Sequence, residues 1–121
     1  EGQAVDRWNL LHPTESTKKS YIESQLGEID EPVVIATDYM KAYAEQLRRY
    51  IPGTLHVLGT DGFGRSDSRE TLRRFFEVDR YFIVISALKG VSDNRVIDSS
   101  LVSEAIELFS IDPNKPNPLY L

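Results

Sequence analysis

The sequence predicts an α/β domain built around parallel strands, and three observations carry that prediction. A continuous apolar, β-branched run, Val33-Val34-Ile35-Ala36-Thr37, has the character of a strand buried on both faces of a parallel sheet. A segment of helical spacing follows it, with Met40, Tyr43, Ala44, Leu47 and Tyr50 on one face. A second short apolar run, Leu55-His56-Val57-Leu58, comes next. Strand, helix and strand with tight connections make a βαβ unit, and its right-handed crossover sets the two strands parallel.

Size and composition bound the rest. At 121 residues, 40% of them apolar, the chain suits one domain with one core. No segment approaches the roughly 20 apolar residues that a membrane helix needs. The formal charge of -5, from 14 basic and 19 acidic side chains, argues against nucleic acid as a partner. Cysteine is absent, which removes disulfides, thiolate nucleophiles and Cys-based zinc sites, and fits a reducing compartment. The first residue is Glu1 and no secretory h-region follows, so the chain is expected to begin inside a longer gene product.

In chain order, the opening stretch from Glu1 to Pro13 is mixed, with Trp8, Leu10 and Leu11 as anchors, and Pro13, Thr14 and Glu15 read as a turn. Tyr21, Ile22 and Leu26 predict a short helix that stops near Gly27. After the first strand, Asp38 stands where it can cap the crossover helix by accepting backbone N–H bonds. Lys41, Glu45, Gln46, Arg48 and Arg49 take that helix's polar face, and Pro52 and Gly53 end it. Ser68 to Glu77 reads as a further helix with Leu72, Phe75 and Phe76 inward. For Tyr81 to Leu88 the β-branched density points to a strand, while Asp79 looks like a helix N-cap, and composition leaves both open. From Asp98 or Ser99 onward a helix carries Leu101, Val102, Ala105, Ile106 and Phe109. The tail DPNKPNPLYL holds three prolines and is expected to run extended over the surface.

The candidate functional segment is LGTDGFGRSDSRE, Leu58 to Glu70. A strand that ends in glycines and turns into a helix N-terminus is a general recipe for an anion site. The candidate residues are Gly59, Thr60, Asp61, Gly62, Phe63, Gly64, Arg65, Ser66 and Arg69, as an anion site or a domain interface. The spacing G-x-x-G-x-G is neither the dinucleotide fingerprint nor a P-loop. Turn chemistry explains the same residues: Asp67 and Glu70 stand at capping-box spacing, and the glycines suit positive φ values. Arg65, Arg69 and Arg73, four apart, suit either contact with an anion or pairing with Glu70, Glu77 and solvent. Both readings stay open at this level. His56 reads as a packed or edge strand residue and His12 as the maker of a local bond. No HExxH, EF-hand loop or GxSxG elbow occurs, so no catalytic or metal-ligating residue is assigned.

Taken together, RWNLLHP (Arg7 to Pro13), ATDYMKAYAEQLRRYIP, LGTDGFGRSDSRETLRRFFEVD and FSIDPNKPNP closely resemble one family across nearly the whole chain. It is the homodimeric bacterial pyruvate dehydrogenase E1 component, at its extreme C-terminal end. The resemblance implies a large thiamine-diphosphate enzyme related to transketolase, which decarboxylates pyruvate and passes the two-carbon unit to a lipoyl group on the acyltransferase component. It implies a three-layer αβα C-terminal domain on a mostly parallel sheet, here truncated, with the domain's first strand and helix lying before Glu1. Residues 1–121 are then one C-terminal fragment, with an ordered core over 32–110 and an extended Pro-rich tail over 111–121. The family's equivalent of Arg80 to Val91 is helical, which settles that run as a helix.

In that family thiamine diphosphate and Mg²⁺ are held by the two preceding domains at a dimer interface. This chain carries no segment resembling the GDG-and-asparagines cofactor motif, so no catalytic, cofactor-binding or metal residue is carried over. The implied role is non-catalytic scaffold and subunit contact in a bacterial cytoplasmic enzyme. The implied partners are the preceding domains, the homodimer partner and the acyltransferase component. The alternatives are a regulatory anion or nucleotide site at Gly59 to Ser66, or a docking surface for another component. The fragment alone is expected to be inactive, and to self-associate or borrow a surface that covers its open sheet edge.

Overall fold

The computed structural model describes residues 1–62 and 64–121. Two parallel strands, β1 (Val33–Ala36) and β2 (Leu55–Leu58), pair in register from Val33 opposite Leu55 to Ala36 opposite Leu58. The ladder is prolonged at both ends, because Val33 N–H donates to Thr54 O and Thr37 N–H to Leu58 O. The crossover carries α3 (Lys41–Glu45) and a 3₁₀ turn over Arg48–Tyr50. Helices α1 (Gly2–Leu11) and α2 (Tyr21–Leu26) precede the sheet, and α4 (Arg69–Phe75), α5 (Arg80–Asp93) and α6 (Ser99–Leu108) follow it. Helix α3 packs on β2, α5 lies across both strands, and α6 packs on α5. The expected α/β architecture with a parallel βαβ unit is therefore present.

The run after Asp79 is a helix. Asp79 accepts the N–H groups of Tyr81 and Phe82 through one carboxylate oxygen, so two of the helix's orphan donors are satisfied at its start. Gly90 sets how closely α5 approaches the sheet. A Cβ there would lie 2.5 Å from Pro32 Cβ and 3.0 Å from His56 Nε2. Asp98 caps α6 through Ser100 N–H, and Ser20 and Glu23 form a full capping box on α2, which ends at Gly27.

Four expectations are corrected. Asp38 does not cap α3: the helix begins at Lys41 after Met40, and its Lys41 N–H is received by Asp61, twenty residues away. Met40, Tyr43 and Leu47 are exposed, and from that helical face only Ala44 is buried. Residues 2–11, read in sequence only as a mixed stretch with Trp8, Leu10 and Leu11 as anchors, form α1. This helix is fastened by Tyr50 Oη donating to Asp6 (2.6 Å) and Arg49 pairing with Asp6 (3.1 Å), while Asn9 exchanges two bonds with Lys18. The bond to Asp6 raises the Tyr50 phenol above its ordinary pKa. Finally, the tail is extended only in part: it makes a turn at Asp112–Lys115 and a 3₁₀ turn over Pro118–Tyr120.

Candidate functional site at the glycine loop

Both strands end on the same side of the sheet, so the connection after β1 (Thr37–Met40) and the glycine loop after β2 leave side by side. Such carboxyl ends are where α/β sheets place functional loops. Hydrogen bonds join the two connections. Thr60 N–H donates to Tyr39 O (2.9 Å), Thr60 Oγ1 donates to Asp38 O (2.5 Å), and Asp61 Oδ1 accepts the Lys41 N–H (3.0 Å). Gly59 is buried between these segments, where an added Cβ would lie 2.8 Å from both Lys41 N and Tyr39 O.

The loop's three glycines sit in unlike surroundings, and the positive φ expected for them is seen at Gly62. Gly62 has φ +99°, and its vacant Cβ position lies 3.1 Å from Pro118 O, so the tail rests on it. Gly59 is required by close approach of backbone. Gly64 meets nothing within 4 Å among the described residues. Phe63, also named among the candidate residues, lies outside the described residues.

Beyond the glycines, Arg65 is not part of α4. Its guanidinium sits 4.2 Å over the Phe75 ring and donates to Leu121 O at 3.3 Å. Ser66 is exposed. Ser68, not Asp67, caps α4 by accepting Thr71 N–H, and Asp67 Oδ1 accepts the Ser68 N–H. The expected Asp67–Glu70 capping box is thus replaced by a serine cap one residue later. Arg73 pairs with Asp38 at 3.6 Å, rather than with Glu70 or Glu77, and Glu77 pairs with Lys115. Nothing local in the sequence announces the Arg73–Asp38 pair, because its partners lie on different sides of the second strand.

Thr60, Gly62, Arg65, Arg69, Arg73 and Asp38 line a cavity of about 410 Å³ beside the loop. A wider open groove of about 1090 Å³ shares Asp38, Arg69 and Arg73 with it and continues toward Arg74, Asp79 and Phe109. Arg65, Arg69 and Arg73, with Asp38 and Asp67 interspersed, set charged groups on a wall that also carries Leu72 and Phe76, and guanidinium groups so placed can meet carboxylates, phosphates or a partner's acidic side chains. Neither histidine joins this site. His12 Nδ1 bonds Trp8 O (2.8 Å) and its ring stacks on Trp8, while His56 Nε2 is buried against α5 with no partner among the described residues. Among the described residues no group of His, Asp and Glu is placed to hold a metal ion.

Comparison with known proteins agrees with this architecture. Residues 4–79 match the transketolase-like TK C-terminal domain family. The chain is 52% identical over 119 residues to the pyruvate dehydrogenase E1 component of Cupriavidus necator, and 54% identical over 120 residues to that of Pseudomonas aeruginosa. Against the pyruvate dehydrogenase E1 component of Escherichia coli K12 it is 50% identical over 119 residues. Each alignment covers 98% of this chain but only 13–14% of the relative, so the chain spans a small part of the length of the proteins it matches. With its βαβ unit, its helices and this match over most of its length, the chain belongs to the transketolase-like C-terminal domain family.

Proposed function

We propose that this chain is the non-catalytic C-terminal domain of a pyruvate dehydrogenase E1 component, serving as scaffold and subunit contact. The observation that carries the reading is identity of about half over 98% of the chain to proteins of that name, of which it spans 13–14%. The parent reaction is the thiamine-diphosphate-dependent decarboxylation of pyruvate with transfer of the acetyl unit to lipoyl groups, in the bacterial cytoplasm. The chain carries no segment resembling the family's cofactor motif, so none of its residues is assigned to the cofactor. The loop's first N–H after Gly59 and its first carboxylate are both engaged within the fold, at Tyr39 O and Lys41 N–H. No step of the chemistry is therefore assigned to this chain, and thiamine diphosphate and Mg²⁺ belong to the preceding domains of the parent.

In this reading Gly59 to Ser66 and Arg69 face the preceding domains or the homodimer partner, at the functional end of the sheet. The acyltransferase component is the further partner of the parent. Incubating the isolated chain with pyruvate, thiamine diphosphate and Mg²⁺ is the direct test. No decarboxylation and no cofactor binding by calorimetry are expected, and measurable turnover overturns the proposal.

A second reading rests on the arginine-lined cavity: the loop as a regulatory anion or nucleotide site. Calorimetry with pyrophosphate, sulfate and nucleoside phosphates separates the two. A charge-assisted cluster of guanidinium groups reaches a Kd of about 1 mM or better, so silence at that level removes the anion site and leaves the interface.

A further inference from the structure

We propose that residues 112–121 act as a strap whose seating controls the outer half of the glycine loop, and with it one wall of the arginine-lined cavity. The strap is anchored at the far end of α4. Lys115 Nζ donates to Phe75 O (2.7 Å), one of the carbonyls left open at that helix's C-terminus, and pairs with Glu77 at 3.5 Å. The turn that places Lys115 is closed by Asp112, which accepts the N–H groups of Asn114 and Lys115. From there the chain runs back to the loop at the start of α4. Asn117 Oδ1 accepts Leu119 N–H, which folds Pro118–Tyr120 into a 3₁₀ turn.

That turn is seated on Gly62, with Pro118 O and Leu119 Cα at 3.1 and 3.4 Å from the position a Cβ would occupy. Arg65 closes the contact by donating to Leu121 O while stacking on Phe75. Gly62 and Arg65 thus have the strap on one side and line the cavity on the other. The inner half of the loop is held differently. Thr60 and Asp61 are bonded to the connection after β1, which the strap does not touch through any of these contacts. With the strap lifted, Gly62 and Arg65 lose their contacts with it, and Gly64 and Ser66, which touch it only through Arg65 between them, lose that hold, while Thr60 and Asp61 keep theirs. The device stands apart from the identity of the loop's partner, since it concerns only what fixes the cavity wall.

The test is hydrogen–deuterium exchange on the full-length parent protein, comparing wild type with Lys115→Ala and with Asn117→Ala. Mass spectrometry with electron-transfer fragmentation separates the loop amides. In both variants exchange over 119–121 and at Gly64, Arg65 and Ser66 is expected to rise by roughly tenfold or more, while Thr60 and Lys41 amides stay within about twofold of wild type. Three results overturn the proposal. One is a tail that exchanges faster while 64–66 does not. Another is acceleration at Thr60 and Lys41 equal to that at 64–66, which means general loosening instead of a strap. The third is no acceleration of 119–121 in either variant, which means that Lys115 and Asn117 do not hold it.

Discussion

At the scale of single residues, the loop shows how one residue type answers unlike demands. Gly59 lies under the backbone of Tyr39 and Lys41, which hydrogen bonds to Thr60 and Asp61 hold in place, so a methyl group there has nowhere to go. Overpacking of this kind costs about 1–3 kcal/mol. Gly64 has open space around it among the described residues. Gly59→Ala is therefore expected to lower stability by about 1–3 kcal/mol, and Gly64→Ala to leave it within about 0.5 kcal/mol of wild type. Urea denaturation of the two variants checks this, and equal effects would refute the assignment of roles. The three glycines were visible in sequence as a turn. What each was for was not, because the atoms that crowd Gly59 and Gly62 come from residues some twenty positions earlier and some fifty-six later.

At the scale of elements, helix starts were more legible than helix ends. Asp79, Asp98 and the Ser20–Glu23 box are local signals, each within three residues of the N–H groups it serves. Of these, Asp98 placed α6 from sequence, whereas Asp79 left α5 open until the family resemblance settled it, and α2 was read from its apolar residues and Gly27; the crossover helix was foreseen, but its start at Lys41, bonded to a carboxylate on another connection, was not. Helix α1 was missed because its fastenings, Tyr50 and Arg49 to Asp6, are long-range. The ends are less legible for another reason: α4, α5 and α6 all terminate on a left-handed residue that is not glycine. Glu77 (φ 62°), Arg95 (φ 60°) and Ser110 (φ 54°) each precede a residue whose N–H reaches back to the third helical residue from the end. A left-handed conformation costs an L-residue about 1–2 kcal/mol, part of which glycine recovers in the unfolded state through its greater freedom. Arg95 is exposed, so it is the cleanest site to test. Arg95→Gly is expected to raise the stability of the protein by about 0.5–1 kcal/mol, read as a higher denaturation midpoint with an unchanged m-value. A loss of stability would show that the Arg95 side chain contributes more than its backbone costs.

At the scale of the whole molecule, the balance between buried and exposed surface sets what the chain does alone. A compact monomer of 13.8 kDa exposes about 6,600 Å². This chain exposes 8798 Å², an excess of about 2,200 Å² over that expectation. Among the described residues its buried apolar set is Ala44, Ile51, Leu55, Val78 and Val102, small for a domain of this length. Its apolar surface includes Tyr39 (69% exposed), Met40 (60%) and Tyr43 (65%) beside the connection after β1, and Ile83 and Val84 on α5. The sequence foretold burial of β1 on both faces, yet none of its four residues is buried, and the sheet in which it sits has two strands. Each strand therefore carries an unpaired edge, a template for another chain. An excess of this size matches what one partner loses in a large, obligate interface, and it exceeds the roughly 800 Å² of a standard one. The chain in isolation is accordingly expected to bind an apolar dye such as ANS and to sediment as oligomers at tens of micromolar. If the proposed parent covers these surfaces, both signals are expected to be absent in it and the melting temperature to be higher by roughly 10 °C or more, since a ΔΔG of 1 kcal/mol moves a domain of this size by about 4 °C. Analytical ultracentrifugation with parallel dye titration decides the matter. A clean monomer with no dye enhancement would mean that the exposed strand edges and apolar side chains are stable in water as they stand, and that the parent's other domains contribute no burial here.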